Sequence, residues 1–162
     1  MTPQEFHTRI LLPAIAVFPF KDSAESRALL LVIAGQESFW TDRLQEAGGP
    51  ARGFWQFEMG GAVKGVYNHP ASAPILKQFC KDWEIEFNIA AIYEAIAWCD
   101  ALAYACARLL LWTDREPLPV IGQINASWVY YIRNWNPGKP IQITWPARYV
   151  SASTILGGIA VV

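Results

Sequence analysis

The sequence predicts a single mainly α-helical domain, and three observations predict it. Apolar residues recur at helical spacing behind recognisable capping residues. Alternating, turn-bounded strand signals are scarce. With 162 residues, 53% apolar and 17% charged, the chain has enough apolar surface for one packed core. The expected domain spans residues 1–162, with no internal repeat, low-complexity tract or linker.

Thr2-Pro3-Gln4-Glu5 reads as a capping box with proline at the first helical position, opening a helix with Phe6, Ile10 and Ala14 on one side. Pro13 kinks that helix or ends it. A second start stands at Asp22, with Glu25 three residues on, and its apolar pattern runs to about Gln36. From Thr41 to Phe57 charged residues and Gly48-Gly49-Pro50 argue a loop or short hairpin. A third helical stretch starts near Gln56, with turns at Gly60-Gly61 and Asn68-His69-Pro70. Ser72 caps a short helix through Phe79, and Asn88 caps a long one from Ile89 to Trp112. Pro117 and Pro119 break the chain before a helix from about Val120 to Trp135, which Pro137-Gly138-Lys139-Pro140 closes. The tail from Trp145 to Leu156 reads as a last short helix.

Composition narrows the function. A net charge of −1 supplies no overall field for nucleic acid or an anionic wall, so no nucleic-acid partner is expected. The 89–112 run approaches a membrane span, but Glu94, Asp100 and Arg108 lie within it, so an integral membrane protein is not expected. Cys80, Cys99 and Cys106 fit reduced, buried thiols from a reducing cytosol, and neither they nor the isolated His7 and His69 make a metal set. No metal or cofactor is expected. The early run ILLPAIAVFPF has Glu5 in front, Pro13 inside and no small-residue cleavage site, so no signal peptide is read.

The acidic residue of AGQESFW then stands out. Leu30, Ile33, Ala34 and Glu37 fall at i, i+3, i+4 and i+7, which puts Glu37 on the packing side at the helix's C-terminal end. Burial and the negative end of the helix dipole both favour its protonated form, as a general acid near neutral pH needs. The plain alternative is a carboxylate that swings to solvent or pairs with Arg43 or Arg52. Downstream, GGPARGFWQFE supplies glycines, the aromatics Phe54, Trp55 and Phe57, the Gln56 amide and a second carboxylate, Glu58. Read as extended chain, Gly53, Trp55 and Phe57 share one side, and Phe54, Gln56 and Glu58 the other.

Glu37-Ser38 followed by Gly53-Phe54-Trp55-Gln56-Phe57 resembles the Glu-Ser and Gly-Leu-Met-Gln pair of soluble lytic transglycosylases. The same order occurs across the lysozyme-like superfamily, including goose-type and hen-type lysozymes. Together with WTD, YYIRNWNPGKP and TWPARY, GGPARGFWQFE is similar to small phage-encoded lysozyme-like proteins over most of the chain. The resemblance implies a lysozyme-like domain with the 41–57 segment beside an active-site cleft. It makes Glu37 the catalytic acid/base, Ser38 a neighbour that orients it and Gln56 a contact to sugar. Peptidoglycan glycan strands are then the partner, with phage virion components beside them, and the protein is made in the cytoplasm and reaches the wall through a virion or at lysis.

Two departures matter. Hen-type lysozymes carry an aspartate two positions before the motif glycine, where this chain has Ala51. The third transglycosylase motif has no clear match, its nearest candidates being Ile124-Asn125-Ala126-Ser127 and Tyr130-Tyr131. Glu37 acting alone gives lytic transglycosylation, whereas Glu58 as a base gives inverting hydrolysis. Arg52 is a candidate for a muropeptide carboxylate, Trp40 and Trp55 for stacking on sugar, and Tyr130 or Tyr131 for the groove. A non-enzymatic virion or binding protein on the same fold is the alternative.

Overall fold

The computed structural model describes residues 1–157, and they are mainly helical. Among them, β pairing is limited to two isolated bridges, Leu44 with Arg52 and Arg52 with Phe57. The predicted domain limit at residue 162 lies outside the described residues.

Helix α1, Pro3–Phe6, starts with the expected box: Thr2 Oγ1 accepts from the Glu5 amide at 3.1 Å, and Glu5 Oε2 accepts from the Thr2 amide at 2.8 Å. A π turn, His7–Leu11, leads into α2, Leu12–Val17. Pro13 has no N–H to donate, and the widened turn lies immediately ahead of it. The proline is absorbed by a change of helix type.

Helix α3, Ala24–Ser38, is capped by Ser23 and not by Asp22. The Ser23 hydroxyl accepts from the Ser26 amide at 3.1 Å and the Ser26 hydroxyl from the Ser23 amide at 3.0 Å. Asp22 pairs with Arg27 instead. From Ala28 to Gly35 every residue is buried, because α1, α7 and α9 pack around the helix.

The π turn Met59–Val63 and α4, Lys64–Asn68, replace the helix expected near Gln56. Helix α5 runs Ser72–Asp82, past the expected end at Phe79. The long helix expected from Ile89 to Trp112 is two: α6, Ile89–Ile96, and α7, Asp100–Thr113, meet at 116°. Asn88 does cap α6, its Oδ1 accepting from the Ala91 amide at 2.8 Å. At the break the amides of Trp98 and Cys99 both turn back to the Ala95 carbonyl, at 3.1 and 2.8 Å. Asp100 then opens α7, where its charge favours the positive end of the dipole and Arg43 grips it with two hydrogen bonds of 2.9 and 2.8 Å.

No single helix among the described residues is long and apolar enough to cross a membrane. Helix α7 is instead the middle of the core. Its buried small residues Ala101, Ala103, Ala105, Cys106 and Ala107 let α2, α3, α4, α5 and α6 pack against it. Helices α8, Ile124–Trp135, and α9, Trp145–Ile155, complete the fold, with α9 lying along α3.

Candidate active site

The last turn of α3 is where that buried helix meets water, in a cleft of about 760 Å³ lined by Glu37. Helix α3 closes with two left-handed residues, Phe39 at φ +53° and Trp40 at φ +57°. Trp40 is secured from behind: its indole N–H donates to the Leu31 carbonyl at 2.8 Å. Its ring also fills the space above Gly35, where a Cβ would lie 2.2 Å from it. The half-buried Trp40 ring therefore packs against the helix and is not among the residues that line the cleft.

The GFWQFE segment is a turn, not the extended chain that its alternation suggests. Gly53 and Gln56 both have positive φ, +71° and +49°, and the Gln56 amide closes the turn on the Gly53 carbonyl at 2.9 Å. Alanine at Gly53 would put a Cβ 2.6 Å from Ile96 Cγ2, so the turn sits hard against the end of α6. Both aromatic sides go inward: Phe54, Trp55 and Phe57 are buried. Gln56 is left facing the cleft. Its NH2 donates to the carbonyls of Gly53 at 2.9 Å and Asp42 at 3.3 Å, which leaves its carbonyl oxygen to accept.

Helices α8 and α9 approach Glu37 from the other side. The Tyr131 hydroxyl donates to Glu37 Oε1, and its ring is stacked on Trp145 with centroids 4.9 Å apart and tilted against Trp128 at 5.3 Å. Arg148 of α9 holds Gln36, its Nη1 donating to Gln36 Oε1 at 2.6 Å and to Thr144 Oγ1 at 3.1 Å. Burial raises the Glu37 carboxyl to about 7, against the opposing pull of the Tyr131 hydrogen bond and the Arg148 charge. Desolvation, followed by the Glu37 charge and the hydrogen bond to it, pushes the Tyr131 hydroxyl far up, so it remains a donor.

Of the residues singled out by sequence, Glu37, Gln56 and Glu58 line one cleft, with Tyr131 beneath Glu37. Neither Arg43 nor Arg52 pairs with Glu37, since Arg43 is held by Asp100 and Arg52 donates to the Gly49 and Ala51 carbonyls at 2.9 and 3.2 Å. Four others lie elsewhere. Ser38 is buried, its hydroxyl bonded back to the Ala34 carbonyl at 2.9 Å, so it does not orient Glu37. Trp55 is fully buried, with its indole N–H on the Leu30 carbonyl at 2.9 Å. Tyr130 points to α7, donating to the Leu111 carbonyl at 2.7 Å. Arg52 lies off the cleft, over the Tyr93 ring at 5.2 Å. The end of α8 and the residues after it form one wall, through Asn134, Trp135 and Asn136 to Lys139.

Sequence reasoning missed Phe39 and Asp42 in the cleft lining and Arg148 beside it. Asn134 resembles Gln56 in that its NH2 is committed, to Asp114 at 2.6 Å and the Tyr130 carbonyl at 2.9 Å, leaving an acceptor oxygen. Nothing in the local pattern marks Arg148, because its partner Gln36 lies more than a hundred residues away in the chain. Among the described residues no His, Cys, Asp or Glu group is arranged to hold a metal ion. Compared with known proteins, the chain matches no family model, no curated protein and no solved structure.

Proposed function

We propose that the protein cleaves the β-1,4 bond between N-acetylmuramic acid and N-acetylglucosamine in peptidoglycan as a lytic transglycosylase, with Glu37 as its one catalytic carboxyl. The observation that carries the reading is a carboxyl raised to about 7 at the edge of a groove that also holds the Gln56 amide. At neutral pH such a group is present in both forms, as a residue that first gives and then takes a proton requires.

Protonated Glu37 gives its proton to the glycosidic oxygen as the C1–O bond breaks, leaving oxocarbenium-like charge on the sugar. Ionised Glu37 next takes the proton of the sugar's own C6 hydroxyl as O6 bonds to C1. An anhydro ring closes, the acid is regenerated and no water is consumed. Tyr131 and Arg148 favour the carboxylate, so they stabilise the charged stage of the cycle. Burial works the other way and supplies the protonated fraction for the first step. Ala51, at the position of the hen-type aspartate, lines the cleft and brings no carboxyl.

A second reading rests on Glu58, which is exposed in the same cleft. There it would activate water for inverting hydrolysis. Digestion of isolated peptidoglycan by the protein and by Glu37→Gln, with products read by mass spectrometry, separates the two. Anhydro-muropeptides that vanish with the variant support transglycosylation, and reducing ends support hydrolysis. No release by either protein would sink the enzymatic reading for that wall and leave a non-enzymatic glycan-binding or virion protein.

A further inference from the structure

Phe39 occupies a position that chemistry would ordinarily give to glycine. It is the left-handed residue that closes α3, at φ +53°, where a Cβ crowds the backbone. Trp40, equally left-handed, is compensated by its packing on Gly35 and its bond to the Leu31 carbonyl, and is only half-buried. Phe39 has neither the core packing nor a side-chain hydrogen bond of that kind, because its side chain is 62% exposed and lines the cleft two residues from Glu37. Strain kept without burial points to use.

The ring is also braced. The Arg148 guanidinium lies over it at 4.5 Å and is itself fixed on Gln36 and Thr144. A held cation thus covers part of the ring, while Phe39 remains 62% exposed and lines the cleft. A β-1,4-linked pyranose has its substituents equatorial, so it presents flat C–H faces and a rim of hydroxyls. An exposed aromatic ring suits the first, and the free carbonyl oxygens of Gln56 and Asn134 suit the second.

We propose that Phe39 is the stacking platform for the pyranose ring beside the bond that Glu37 protonates, with Arg148 bracing the platform. This rests on the glycan reading of the cleft. The test uses the full chain carrying Glu37→Gln, so that the ligand stays intact, and titrates it calorimetrically with soluble, uncrosslinked peptidoglycan glycan strands. Adding Phe39→Gly should weaken binding roughly tenfold, and Phe39→Trp should restore it. The glycine variant should also melt at or above the temperature of its parent, because the backbone there favours glycine. Loss of affinity without loss of stability separates a binding role from a structural one. Should the Glu37→Gln protein bind strands and the added glycine leave affinity unchanged, the platform is wrong and the glycan reading stands. Should the Glu37→Gln protein bind no strands, both fall.

Discussion

Replacing Glu37 with glutamine should stabilise the protein, and only above acid pH. In the unfolded chain the carboxyl ionises near its ordinary value of 4.5, whereas in the folded protein it holds its proton to about 7. Below 4.5 both states are protonated and the group costs nothing. As pH rises from there the unfolded state loses its proton first, so wild-type stability falls until the folded carboxyl also ionises near 7 and the loss levels off. At 1.36 kcal/mol per pH unit, that interval of about 2.5 units is worth about 3 kcal/mol. Contact with cleft water makes this an upper bound. Glutamine keeps the shape and an acceptor for Tyr131 but carries no charge to desolvate. For a chain of 162 residues the difference corresponds to about 6–12 °C in melting temperature at most. Urea denaturation of both proteins from about pH 4 to about pH 8 measures it. The gap in favour of the variant should open between pH 4.5 and 7 and then stay constant. A gap flat in pH would mean that Glu37 ionises like an exposed carboxylate, and a gap of opposite sign that the fold prefers its charge. Either result refutes the account of its environment.

The other predictions use the neighbours. Tyr131→Phe removes a hydrogen bond that favours the carboxylate, so the alkaline limb of glycan cleavage should move up by about one to two pH units, and a downward move would reverse the assigned role. Tyr130→Phe should cost about 1 kcal/mol in chemical denaturation and leave that limb in place, because its hydroxyl serves the Leu111 carbonyl. Ser38→Ala should change cleavage and stability little, since the hydroxyl only bonds back to its own helix; a large loss of kcat would restore an orienting role. Gly53→Ala combines a left-handed backbone with a 2.6 Å approach to Ile96 and should cost about 2–4 kcal/mol by denaturation.

The sequence carried the helices whose signals are local. Thr2 and Asn88 announce their caps by type and spacing, and both make the expected bonds. The break between α6 and α7 carries no such mark, because apolar residues on both sides of Trp98 bury equally well and only Arg43, far back in the chain, fixes Asp100. Glu37 was located through helical facing, yet α3 is packed on all sides from Ala28 to Gly35. What gives Glu37 its setting is its place in the last turn of α3, where the helix reaches the cleft and Tyr131 of α8 bonds to it. The alternation in GFWQFE misled for a related reason. Gly53 and Gln56 turn the chain, so aromatics assigned to opposite sides share the interior. Arg148 and Phe39 were invisible because one gains its meaning from a distant partner and the other from backbone strain.

The most direct test of the central claim is to digest isolated peptidoglycan in water labelled with heavy oxygen and examine the new glycan ends by mass spectrometry. Glu37 acting as sole acid and base predicts anhydro ends free of label, and none at all from Glu37→Gln. Labelled reducing ends, or equal release by the variant, would contradict it.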